Sequence, residues 1–119
     1  MSHYAAVTRR PQYVVRGQSQ TLYVAIYGPD GTLATVSSGT AQLLNDSGTA
    51  VASATIGNDA TNGASFAIDS GDVPASLDFS TRYSVVWPCT LADGKYLKVK
   101  QRAALVDGEP VMPVDGSKL

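Results

Sequence analysis

RYSVVWPCTLADGKYLKVKQRAAL, residues 82–105, decides the fold. Two extended arms flank Ala92-Asp93-Gly94-Lys95. Asp-Gly between alternating segments is a strong short-range hairpin signal, because both turn positions tolerate positive φ. The first arm carries Tyr83, Val85, Trp87 and Cys89 at a spacing of two. The second alternates Leu97, Val99, Gln101 and Ala103 against Lys98, Lys100 and Arg102. A period of two sends the two sets to opposite faces of a strand. The spacing predicts the last hairpin of an all-β domain, with the only Trp of the chain in its core.

Strand signals recur on the N-terminal side of this hairpin. Tyr13 to Val15 is a short strand that Gly17 separates from the next. In Thr21 to Tyr27, Leu22, Val24 and Ile26 face one way and Thr21, Tyr23, Ala25 and Tyr27 the other. Gly28-Pro29-Asp30-Gly31 is a turn, with Pro set for its second position. Thr32 to Ser38 is a weak strand or loop. Ala41 to Leu44 and Ala50 to Ile56 form a hairpin about Asn45-Asp46-Ser47-Gly48, and Gly57 to Gly63 is a polar turn. Ala64, Phe66 and Ile68 alternate through a further strand. In the connection that follows, Val73, Leu77 and Phe79 cap the core, with one helical turn among them. Short strands separated by turn signals about every 8–12 residues point to a sandwich or barrel. The expectation is an immunoglobulin-like antiparallel β-sandwich of about seven strands. It spans residues 13–106, after an N-terminal arm (1–12) and before an extended C-terminal tail (107–119).

Composition agrees. Glu occurs once and Lys four times in 119 residues, far below what exposed helical faces use. Eleven Gly with many Thr and Val suit strands joined by turns. Net charge is −1, so no global field draws in nucleic acid or an anionic membrane. One cysteine excludes an internal disulfide and a Cys-rich zinc site, and Cys89 lies on the apolar phase of its strand as a small buried hydrophobe. MSHYAAVTRR lacks the apolar region of a signal peptide, and no apolar run approaches the roughly 18 residues of a membrane span.

Catalysis finds little support. The sole histidine, His3, lies in the N-terminal arm, away from anything that would position a base. The aspartates sit mostly in turns, where the side chain bonds the backbone two residues on. No spacing matches an ordered calcium loop, although Asp30, Asp46 and Asp59 could offer oxygens from loops. The reading is therefore of a chain that is no enzyme, with no catalytic, cofactor or metal residues assigned. Lys98, Lys100 and Arg102 form one face of a strand, either a solvated face or a docking surface for an acidic partner. Nucleic acid is disfavoured there because no aromatic interleaves the stripe. Tyr23 and Tyr27 share the face opposite Leu22, Val24 and Ile26, and exposed tyrosines there would suit an interface.

The run from Gly17 to Ile56, the strand at GASFAID and the final hairpin together resemble immunoglobulin-like structural proteins of tailed bacteriophages. The likeness rests on the Tyr27-Gly28-Pro29-Asp30-Gly31 turn, the Asp46-Ser47-Gly48-Thr49 hairpin, the Tyr83/Trp87/Asp93-Gly94 hairpin and the tail Pro110 to Pro113. It implies a non-enzymatic virion component on the head surface or neck, decorating or cementing the shell or joining head to tail. Its partners would be major capsid or neck proteins, with no nucleic acid and no membrane, and it would be oligomeric in the assembly. The contact residues would be Arg9, Arg10, Lys98, Lys100 and Arg102, with Tyr23 and Tyr27 as aromatic contacts. The alternative is an adhesive or carbohydrate-binding immunoglobulin-like domain that contacts a host or cell surface.

Overall fold

In the computed structural model, residues 5–7, 12–74, 76–77 and 82–106 are described. Ten strands are present among them: β1 (Ala5–Val7), β2 (Gln12–Val15), β3 (Gln20–Tyr27), β4 (Val36–Ser38), β5 (Thr40–Leu44), β6 (Ala50–Thr55), β7 (Gly57–Asp59), β8 (Gly63–Ile68), β9 (Tyr83–Leu91) and β10 (Tyr96–Val106). They form a sandwich of two sheets. One runs β1-β3-β8-β7. The other runs β2-β10-β9-β5-β6, with β4 also against β9. The all-β, immunoglobulin-like sandwich read from the spacing is the fold.

The ten strands are seven runs of chain, three of them each cut in two. β1 and β2 are four residues apart and lie in different sheets. Thus residues expected in an N-terminal arm include a strand, with Ala5 to Val7 antiparallel to Ala25 to Tyr27. β6 and β7 change sheet across Ile56, so the stretch from Gly57 expected as a polar turn begins as a strand. β4 and β5 part at Gly39. Every pairing is antiparallel except one: Gln12 to Val15 run parallel to Ala103 to Val106. The expected tail, 107–119, lies outside the described residues.

The break at Gly39 answers to a proline. Leu91 donates to the Lys95 carbonyl at 2.8 Å, so by alternation the odd residues of β9 turn their backbone groups toward β10. Pro88 therefore faces β4 and β5 with the side of its backbone that lacks an N–H. A proline within a sheet needs an edge or an irregularity beside it. Gly39 supplies the irregularity, with φ +146° and its backbone close against the Pro88 carbonyl.

The final hairpin closes more loosely than a two-residue Asp-Gly turn. Only glycines adopt positive φ among the described residues, so Asp93 keeps a negative φ while Gly94 takes +89°. Gly94 donates to the Leu91 carbonyl at 2.9 Å, and Asp93 Oδ1 accepts from the Lys95 N–H at 3.0 Å. This is a three-residue loop of a turn followed by a left-handed glycine. The loops at Gly28 to Thr32 and Asn45 to Thr49 have the same two backbone bonds and the same glycine position.

The core lies between the sheets. Trp87 is fully buried and meets Phe66 edge to face, with ring centroids 6.0 Å apart at 83°. Leu22, Val24 and Ile26 point inward from β3, as the alternation predicts, and so do Tyr83, Val85, Cys89 and Leu91 from β9. A 3-10 turn at Ser70–Asp72 precedes fully buried Val73, and Leu77 packs on the core; Phe79 lies outside the described residues. One polar chain enters this interior. The Trp87 indole N–H donates to Gln101 Oε1 at 2.6 Å, and Gln101 Nε2 reaches Gln12 Oε1 at 3.4 Å. A buried indole N–H needs such an acceptor.

Two side-chain amides join the sheets. Gln20 on β3 accepts from the Val15 N–H at 2.8 Å and donates to the Val15 carbonyl at 2.9 Å. Asn58 on β7 does the same for Val36, at 2.9 and 2.8 Å. Each amide satisfies a backbone residue much as a neighbouring strand would.

Candidate functional site

The alternation that buries Leu97, Val99, Gln101 and Ala103 to differing degrees turns the opposite set outward. Lys98, Lys100 and Arg102 are exposed on the outer face of the six-stranded sheet. None of the three has an ion-pair partner among the described residues. Tyr96 extends the row on the same face of β10 and is 62% exposed. At the other end Tyr13 of β2, opposite Ala104, is 54% exposed. The sequence reading missed Tyr96 because it stopped the stripe at Lys98. One more step of two would have found an aromatic on the face said to lack one.

Across the sheet, register sets Lys98 beside Pro88, Lys100 beside Val86 and Arg102 beside Ser84. Val86 is followed by Gln42, and Ser84 by Leu44. Pro88, Val86 and Leu44 are half-buried, so apolar groups flank the row of cations, with Ser84 and Gln42 set among them. Toward its lower end the face dips into a depression of about 360 Å³, lined by Leu44, Asp46, Arg82, Lys100 and Arg102 among others.

The other expected contacts lie elsewhere. Tyr23 and Tyr27, 36% and 37% exposed, stand on the outer face of β3 in the opposite sheet. The structure therefore does not unite them with the basic row. Arg9 and Arg10 lie outside the described residues.

The loop aspartates serve their own turns. Asp30 accepts from the Thr32 hydroxyl at 2.8 Å and from its N–H at 3.1 Å, and these bonds hold its carboxyl below the ordinary range, the hydroxyl first. Asp59 accepts from the N–H groups of Asn62 and Thr61, which lower it likewise. Asp30 shares a depression with Asp93 at one end of the sandwich, whereas Asp46 lies beside Arg82 at the other. Among the described residues no three His, Cys, Asp or Glu stand together as a metal would need.

Cys89 is fully buried, and burial pushes its thiol up to about 11. A thiol reagent should therefore react with Cys89 only after unfolding. The unfolded thiol ionises from about pH 9 and the native one only near 11. The contribution is thus intact below pH 9 and falls as pH rises from 9 to 11, by about 2–3 kcal/mol at most. Melting temperatures of wild type and Cys89→Ala should converge over that interval. Parallel curves would show that the thiol ionises equally in both states.

No protein-family model matches the chain, and no curated protein matches its sequence. In structure it is similar to CopC from Methylosinus trichosporium OB3b, with a TM-score of 0.56 and 15% identity, over 92% of this chain and 100% of that one. At that identity the likeness is one of fold. The likeness is to CopC and not to a phage protein, so the match points away from the virion role expected from the sequence, and that expectation is withdrawn. The resemblance to phage proteins rested on turn and strand motifs that any such sandwich requires. The adhesive alternative gains no support either, since Tyr23 and Tyr27 are about two-thirds covered.

Proposed function

We propose that this chain is a non-enzymatic binding domain that docks an acidic protein surface on the outer face of its six-stranded sheet. The observation that carries this reading is the row Tyr96, Lys98, Lys100, Arg102, its cations without ion-pair partners among the described residues and its flank set with the half-buried apolar groups of Pro88, Val86 and Leu44. Protein interfaces combine an apolar centre with a polar rim and favour Tyr and Arg. A nucleic acid would be held through phosphates and would have little use for Pro88, Val86 and Leu44. The chain's net charge of −1 also opposes a polyanion, whereas a local row suits a local acidic stripe.

A glutamate-rich peptide titrated into labelled protein should shift the amides of β10, β9 and β5 on this face, with binding that weakens as salt is added. The triple variant Lys98→Glu, Lys100→Glu, Arg102→Glu should abolish those shifts and leave the melting temperature within a few degrees, because all three side chains are exposed. Shifts on the β3 face instead, or equal binding by the variant, would overturn the reading. Tighter binding of a single-stranded oligonucleotide than of the peptide would transfer the face to nucleic acid.

A further inference from the structure

The free edges of the two sheets are not treated alike. β1, β4 and β7 are three residues each, too short to template much pairing. On β4, Val36 is also bonded by the Asn58 amide, and on β2, Val15 is bonded by the Gln20 amide. β6 is different. It is the outermost strand of the six-stranded sheet, six residues long, and reads AVASAT. It holds no charge, no proline and no bulky residue to guard it against edge-to-edge pairing, and its one irregularity is a bulge at Val51, next to its first residue.

Its outward hydrogen-bonding groups follow from the ladder. Ile56 donates to the Gly39 carbonyl at 2.9 Å, and Ala54 and Ala52 lie opposite Ala41 and Leu43. By alternation these even residues bond β5, and Ser53 and Thr55 turn N–H and C=O away from the sheet. Among the described residues no strand pairs with that side.

We propose that β6 pairs antiparallel with β6 of a second copy of this chain, about a twofold axis through Ser53. The strand is its own complement. Pairing about Ser53 sets that residue on its counterpart and Ala52 against Ala54, in the regular stretch beyond the bulge at Val51, with no charge and no large side chain opposed within the strand. A neutral edge of Ala, Ser, Thr and Val offers nothing with which to select a foreign strand. The axis stands perpendicular to the sheet, so the two sheets merge with their outer faces on one side. The two β10 rows then lie seven strand spacings apart, about 34 Å. A partner with two acidic stripes would be gripped twice. The dimer itself does not depend on that partner.

Sedimentation equilibrium across a concentration series tests this. Wild type should rise to the mass of two chains, and its melting temperature should rise with concentration. Ser53→Lys, a change at an exposed edge, should stay at the mass of one chain with unchanged circular dichroism. Should that variant fail to fold, amide exchange of wild type decides. Ser53 and Thr55 are slowed in concentrated solution if the edge is paired, and their rates are independent of concentration if it is not. Wild type at the mass of one chain throughout, or a Ser53→Lys variant that still dimerises, overturns the proposal. Loss of peptide binding without loss of the dimer would strike the basic face alone.

Discussion

Trp87→Ala should cost about 3–5 kcal/mol of stability, the range for removing a buried aromatic from a core. A domain of this size holds about 5–15 kcal/mol in all, so the variant would be marginal at room temperature. Two losses combine. The ring leaves a cavity against Phe66, and Gln101 Oε1 loses the indole N–H that now meets it at 2.6 Å. Trp87→Phe separates them. It keeps most of the packing and leaves the Gln101 oxygen buried without that donor, at a cost of about 1–3 kcal/mol. Adding Gln101→Met to Trp87→Phe should recover part of this, which a double-mutant cycle in urea would read as a coupling. A melting temperature for Trp87→Ala near that of wild type would mean that the ring lies outside the core.

The second large effect is expected at Gly39. A Cβ there would stand 2.2 Å from the Pro88 carbonyl oxygen and 3.1 Å from Ile56 Cδ1, on a backbone at φ +146°. An L side chain disfavours that conformation by about 1–3 kcal/mol, before any overlap is relieved. The overlap is with backbone, which cannot swing aside as a side chain tip would. Gly39→Ala should therefore lose about 3 kcal/mol or more, with overpacking adding about 1–3 to the backbone strain. Pro88→Ala alone should change far less, since it restores an N–H without moving the carbonyl. If urea denaturation finds Gly39→Ala as stable as wild type, β4 and β5 do not break where described.

These two sites show what was legible in the chain. Trp87 was readable because its phase is set by Tyr83, Val85 and Cys89, a period that only a half-buried strand produces. Gly39 was not, because its constraint comes from Pro88, 49 positions away in sequence and adjacent only once β4 pairs with β9. The same holds for β1 and β7. Three residues carry too little period to register, and their pairing depends on neighbours that β3 and β8 supply. The basic row was legible residue by residue. Its apolar flank was not, since Val86 and Leu44 become its neighbours only through the register of β10, β9 and β5. Tyr23 and Tyr27 show the reverse. Their face was right, but no local pattern could say that their sheet and the basic row point in opposite directions.

The parallel pairing of β2 with β10 also bears on how the domain carries load. Gln12 to Val15 and Ala103 to Val106 point the same way along one ladder. A force that draws the chain's two ends apart pulls β2 by its first residue and β10 by its last, once β1 has come away. The strands are then dragged past each other along their length, and their hydrogen bonds bear the tension together. An antiparallel pair pulled from one end opens bond by bond instead. Between its second strand and its last, the fold thus places an arrangement loaded in shear when the ends are drawn apart, and the four residues of that ladder share the tension.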